Sequence, residues 1–255
     1  MRHRGFLIGT AALLAVFSVT GCDMLDQIVG ADDWEEWTPD QTSLQLSLDG
    51  GVTETIFDTL DQSYYNADEL QDMIAKSVRL YNEEHGEDSI GVPGFSAENG
   101  KIQLTMTYKS PEDYTAYNDL NLFNGSILEA QMGGITFPDT FLKVDGGSGA
   151  ENVSSEEALS HKELSAAVAD SGHVVQVPGR ILYISGNAEY VNSHVAAPKA
   201  DAGPETEQKE TGLVLPSNAV YYETEPEEEG IDADLSTQKE SDFFIIYEAD
   251  SEPNT

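Results

Sequence analysis

Leu44-Gln45-Leu46-Ser47-Leu48-Asp49-Gly50-Gly51-Val52-Thr53-Glu54-Thr55-Ile56-Phe57 carries the period of a sheet rather than of a helix. Leu44, Leu46 and Leu48 alternate with polar neighbours, as in a strand with one buried face. Asp49-Gly50-Gly51 is turn chemistry, and Val52–Phe57 is rich in the β-branched and aromatic residues that suit a pleated surface. The stretch predicts an antiparallel hairpin and therefore a fold built on antiparallel pairing.

Outward from the hairpin, strand and helix signals mix. Asn66 with Glu69 three residues on has the spacing of a capping box. Leu70, Met73, Ile74, Val78 and Tyr81 then recur at helical spacing, and Gly86 stands where a helix would stop. Lys101–Lys109 puts Ile102, Leu104, Met106 and Tyr108 on one face and Gln103, Thr105 and Thr107 on the other, which predicts a half-buried strand. Ser110-Pro111-Glu112-Asp113 supplies an N-cap, a first-turn proline and early acids for a short helix carrying Tyr114, Tyr117 and Leu120. Ser126–Ala130 reads as a further strand, and Gly146–Gly149 as a flexible break.

Ser160 with Glu163 suggests a second capping box, opening a helix to about Asp170 that stops near Gly172. Val174–Val177, Pro178-Gly179 and Ile181–Ser185 read as a hairpin with a type II turn, extended through Gly186-Asn187 to a third strand ending at Tyr190. Residues 196–212 and 223–242 are poor in large apolar side chains and dominated by acids, Pro, Ala and Gly, the composition of disordered insertions. Phe243-Phe244-Ile245-Ile246-Tyr247 is a continuous apolar run suited to a strand covered on both faces. The expected fold class is α+β, a largely antiparallel sheet packed by two or three helices, in a single domain over residues 43–255.

The first 42 residues are of another kind. Arg2 and Arg4 precede an uncharged apolar run from Gly5 to Val19. That is the layout of a secretory signal, and the run falls short of the ~20 residues a membrane-spanning helix needs. It ends in Val19-Thr20-Gly21-Cys22, which resembles the lipobox of bacterial lipoprotein precursors. The resemblance covers the first 22 residues and implies a diacylglyceryl group on the Cys22 thiol and cleavage between Gly21 and Cys22. Two acyl chains at about 0.8 kcal/mol per buried methylene hold stably where one does so marginally. The implied location is the outer face of the cytoplasmic membrane, with the membrane as partner through lipid on Cys22. Residues 22–42, acidic and carrying Trp34, Trp37 and Pro39, read as a tether. The mature part is similar to uncharacterised acidic lipoproteins of low-GC Gram-positive bacteria, which implies no activity.

Composition excludes several functions. The chain of 255 residues carries 47 acidic and 12 basic side chains, a net charge of −35, which becomes −37 once Arg2 and Arg4 leave with the signal. Nucleic acid is excluded as a partner, because its binding rests on basic side chains displacing counterions from phosphates. The single cysteine is committed to lipid, so no disulfide, thiol catalysis or cysteine metal site is expected.

No catalytic constellation emerges. Ser236-Thr237-Gln238-Lys239 has the Ser-x-x-Lys spacing, but the Ser-x-Asn and Lys-Thr-Gly elements that accompany it in penicillin-interacting enzymes are missing. His85, His161, His173 and His194 are never spaced as metal ligands; His85 suits a helix C-terminus and the others read as surface or turn residues. Asp232-Ala233-Asp234 lacks the ordered spacing of a calcium loop, and Gly146-Gly147-Ser148-Gly149 lacks the residues of a phosphate loop. Tyr64, Tyr65, Tyr114, Tyr117, Tyr221 and Tyr222 suit either core packing or a stacking surface. No catalytic residue, cofactor or metal is therefore expected. The leading expectation is a binding or interaction module for an envelope protein, peptide or glycan. An envelope hydrolase acting on glycan or peptide and a purely structural protein are the alternatives.

Overall fold

Asp49 closes the first hairpin as its sequence suggests. Its carboxylate accepts the Gly51 amide at 3.1 Å, Gly50 takes φ +88°, and the strands Ser43–Leu46 (β1) and Val52–Thr59 (β2) pair antiparallel. In the computed structural model the described residues are 37–60, 66–144, 151–199 and 241–250. The chain divides after Thr38, and the described strands and helices lie in the unit Pro39–Thr255. Cys22, Gly21 and the rest of the expected signal, together with Trp34 of the tether, lie outside the described residues, as do 145–150 and 200–240. Among the described residues no helix is long and apolar enough to cross a membrane.

The α+β class holds, with mostly antiparallel pairing. Where one sheet is expected, however, there are two. The first, sheet A, adds to the hairpin Ile90–Glu98 (β3), Lys101–Tyr108 (β4), Val174–Gln176 (β9), Ala188–Tyr190 (β11) and Val195–Pro198 (β12), in the order β11-β12-β9-β1-β2-β4-β3. Its β1–β9 pair is parallel. The second, sheet B, contains Leu122–Ser126 (β5), Thr140–Lys143 (β6), Glu151–Ser154 (β7), Ser165–Ala169 (β8), Gly179–Ser185 (β10) and Phe243–Ala249 (β13), in the order β5-β8-β13-β10-β6-β7.

Register sorts the side chains into two cores. Leu44, Leu104, Met106 and Val175 of sheet A share one apolar cluster with Ala167, Phe243, Ile245 and Tyr247 of sheet B. The helices Ala67–His85 (α1) and Pro111–Asn118 (α2) add Ile74, Val78, Tyr81, Tyr114 and Tyr117 to it. Phe244 and Ile246 point the other way, into a second cluster with Ile127 and Ala130 of helix Ile127–Met132 (α3) and Ala158 of helix Ser155–Ala158 (α4). The apolar run at 243–247 is thus buried on both faces, as expected of a strand flanked by β8 and β10.

Two of the three helices read from sequence form. Asn66 caps α1 by accepting the Asp68 and Glu69 amides, and Gly86 ends it at φ +119°. Ser110 caps α2, with Pro111 in its first turn. Met73, expected on the buried face of α1, is 42% exposed.

Four expectations are corrected. Ser126–Ala130 opens α3, because Ser126 and Glu129 form a complete capping box. Residues 165–169 form β8, since slots on β5 and β13 and burial on both faces override the helical preference of an alanine-rich stretch. The expected hairpin at 174–185 is broken between sheets: β9 lies in sheet A and β10 in sheet B, and Gly179 is not at positive φ as a type II turn requires. A Cβ on Gly179 would stand 2.2 Å from the Glu248 carbonyl, so glycine is needed for the close approach of β13. Tyr190 accordingly ends a strand of the other sheet. Lastly, residues 195–198, partly inside the expected insertion at 196–212, form β12, where Ala196 is fully buried.

Candidate functional site

Val52, Glu54 and Ile56 alternate onto the inward face of β2, so a carboxylate occupies the middle of an apolar stripe. Glu54 is 3% exposed. A lone acid cannot be buried cheaply, and it needs a partner of opposite charge or a full set of donors. His173, immediately before β9, supplies the charge: its Nε2 lies 3.0 Å from Glu54 Oε1. The Glu54 Oε2 atom accepts the Tyr108 hydroxyl at 2.6 Å, and Asn118 donates to that hydroxyl at 3.0 Å.

The imidazole is held from its other side by the turn that follows β8. Asp170 accepts the Gly172 amide at 2.7 Å and takes His173 Nδ1 at 3.0 Å. A Cβ on Gly172 would meet that carboxylate at 2.8 Å, so a side chain there would crowd the turn. A single imidazole therefore joins β2 and the start of β9, in sheet A, to the end of β8, in sheet B.

Both acceptors are carboxylates, so both ring nitrogens donate and the ring is an imidazolium. Burial works against the charge, yet the hydrogen bonds and charges of Asp170 and Glu54 outweigh it and push the His173 pKa up to about 10. Burial, reinforced by the Glu54 charge, raises Tyr108 and Tyr114 well above the usual phenol range. Tyr114 packs edge-on against His173 and Tyr108, and its fully buried hydroxyl has no hydrogen-bond partner among the described residues.

This arrangement has the ingredients of a proton relay but not its wiring. A general base needs a ring nitrogen free to accept a proton from a nucleophile or water, and here the second nitrogen is engaged by Glu54. Among the described residues no three His, Cys, Asp or Glu converge on a metal position, and Glu54 and Asp170 stand on opposite sides of the ring. The array is a charged cross-link between sheets.

Beside it lies an open cleft of about 440 Å³. It sits at the amino ends of the parallel strands β1 and β9, with Asp40, Thr42, Ser171 and His173 as polar lining and Phe57 and Val174 as apolar lining. Thr42 Oγ1 accepts the Phe57 amide at 3.1 Å, tying the approach to β1 onto the end of β2.

The expectation for the histidines is corrected in two cases. His173 and His194 are each 6% exposed rather than superficial, because sheet pairing beside each of them closes the core. His194 Nδ1 lies 2.7 Å from the Gly179 carbonyl. His161 is exposed beside Glu163, and His85 ends α1 stacked on Tyr81 at 4.1 Å, both as the sequence suggests. Tyr114 and Tyr117 are core residues and offer no stacking surface. Tyr64, Tyr65, Tyr221, Tyr222, Ser236, Lys239, Asp232 and Asp234 lie outside the described residues. The signal in the sequence for the array was Glu54 itself, an acid at the inward register of a strand whose hairpin was legible.

No family model, curated protein or solved structure matches the chain.

Proposed function

We propose that the protein is a membrane-tethered extracytoplasmic binding module of the cell envelope, held to the outer face of the cytoplasmic membrane by lipid on Cys22. The tether rests on the basic start, apolar run and Val19–Cys22 box. The observation that favours binding over hydrolysis is the double engagement of His173, whose two nitrogens are spent on Asp170 and Glu54. That leaves the cleft beside it as a recognition surface for an envelope protein, peptide or glycan, with hydrogen-bonding side chains and one aromatic.

Replacing Cys22 with Ser tests the tether. The variant is expected to move from the membrane fraction to the soluble extracytoplasmic fraction; a Ser variant that still sediments with membranes rejects it. For the domain, capture with the full mature chain from envelope extract is expected to yield a partner that is lost by Ala197→Trp, a bulky variant at a residue of β12 that also lines the cleft. Turnover of envelope glycan or peptide that ceases in His173→Gln would instead favour the hydrolase.

A further inference from the structure

The strand β3 is an edge of sheet A, and its outer row of backbone groups is closed in one half and open in the other. Asn99-Gly100, at φ +53° and +76°, makes the two-residue turn that sets Glu98 opposite Lys101. Counting back from that pair, Glu98, Ser96 and Gly94 direct their N–H and C=O groups at β4, so those of Phe95 and Ala97 point outward. At the start of the strand it is Ile90 that points outward, and there Asn82 of α1 takes the place of a neighbouring strand. Its side-chain amide donates to the Ile90 carbonyl at 2.8 Å, and its oxygen accepts the Ile90 amide at 2.9 Å. Pro93 and the register shift between Gly91 and Gly94 then interrupt the row, and both are devices that blunt a sheet edge.

Beyond Gly94 no such device follows. Among the described residues nothing hydrogen-bonds to the outward groups of Phe95 and Ala97. Ser96, Ala97 and Glu98 are exposed, so the edge is open to an approaching chain. The two faces of this segment differ. Phe95 and Ala97 lie on the side of Ile102 and Leu104, with Phe95 packed against the apolar cluster, whereas Gly94, Ser96 and Glu98 lie on the other side. Glu84, Glu87 and Asp88 lead into the strand and Glu98 ends it, against Lys101 and Lys109 on the β4 side, in a chain of net charge −35.

We propose that residues 94–98 of β3 take up an extended basic peptide of another protein, which adds to the seven strands of sheet A as a new edge. The site shares no residue with the cleft and goes beyond the function assigned to it. The outward N–H and C=O groups of Phe95 and Ala97 supply the main-chain bonds that hold a guest strand, and the side chains beside them supply the specificity. Antiparallel addition is the more stable per residue. Side chains next to each other on paired strands share a face, so guest residues beside Phe95 and Ala97 are apolar and those beside Ser96 and Glu98 are Lys or Arg. An acidic guest, or a second copy of this chain, brings like charge to Glu98 and to the acids around it and is repelled.

The test is calorimetric titration of the full mature chain with the end-blocked peptide Val-Lys-Val-Lys-Val-Lys, and with Val-Glu-Val-Glu-Val-Glu as the acidic probe. The lysine peptide is expected to bind and the glutamate peptide to stay free; about 0.5 M NaCl should weaken binding by about threefold or more, because exposed charges are screened. Ala97→Pro removes one outward donor at a position where an edge strand accepts proline. It should cost about tenfold in affinity with a melting temperature near that of the wild type, while Ala97→Val, which keeps the N–H, should bind as the wild type does. Should the proline variant fail to fold, the lysine peptide N-methylated at its valines puts the same question to the wild-type chain, because it lacks the donors that face Phe95 and Ala97. A lysine peptide that does not bind, or that binds equally well when N-methylated or to a folded proline variant, overturns the proposal, as does preference for the glutamate peptide. A wild-type dimer in sedimentation that Ala97→Pro dissolves overturns it too, by giving the edge to a second copy. The cleft is tested separately by Ala197→Trp, so failure at the edge leaves that reading standing.

Discussion

His173 Nε2 and Glu54 Oε1, 119 positions apart in the chain, lie 3.0 Å from each other in the interior. With Asp170 on the far side of the ring, this contact makes one buried cation answer to two buried anions. A buried charge whose partner is removed is left uncompensated, and the cost of that is far larger than the net worth of the pair.

Truncating Glu54 to Ala is expected to destabilise the domain by about 1 to 3 kcal/mol, because the buried His173 Nε2–H and the Tyr108 hydroxyl both lose their acceptor while Asp170 still balances the imidazolium charge. A urea titration measures it. A double-mutant cycle with His173→Ala should show strong coupling, the double variant losing much less than the sum of the two single losses. Additive losses would mean that the two residues do not share a charge in solution.

The same cross-link sets a pH dependence. His173 titrates near 10 in the folded chain and near its ordinary value of 6.5 when unfolded. A raised folded pKa contributes stability that is complete below about 6.5 and disappears as pH rises through about 10. The melting temperature is expected to fall between pH 7 and pH 10.5 more steeply for the wild type than for His173→Gln. Parallel curves for the two proteins would show that the ring is not the titrating group.

Ending the chain after Glu240 removes β13, which sits between β8 and β10 in the middle of sheet B. Its residues 243–247 are all buried, facing two cores in alternation. At roughly 1.5 to 3 kcal/mol for each large apolar side chain, the loss is comparable with the ~5 to 15 kcal/mol that holds a domain folded. The truncated chain is expected to lack a cooperative thermal transition and to elute as aggregate in size exclusion. A truncated form that melts like the full chain would remove β13 from the core.

Local chemistry decided much of this protein by itself. Alternation and Asp49-Gly50-Gly51 determine the first hairpin, Asn66 and Ser110 determine where α1 and α2 begin, and the apolar run at 243–247 determines a strand covered on both sides. Each depends on neighbours within a few positions, which a sequence displays directly. The resemblance of Val19–Cys22 to a lipobox is legible for the same reason, being carried by four consecutive residues. Tertiary structure alone decided the rest. The stretch at 165–169 has helical composition and becomes a strand because β5 and β13 offer it hydrogen bonds on both edges; the chain at 174–185 leaves a hairpin because β1 takes β9 as a parallel partner. Above all, the meeting of Glu54, Asp170 and His173 depends on two sheets closing over residues more than a hundred positions apart, and no spacing rule records which buried acid will find which buried base.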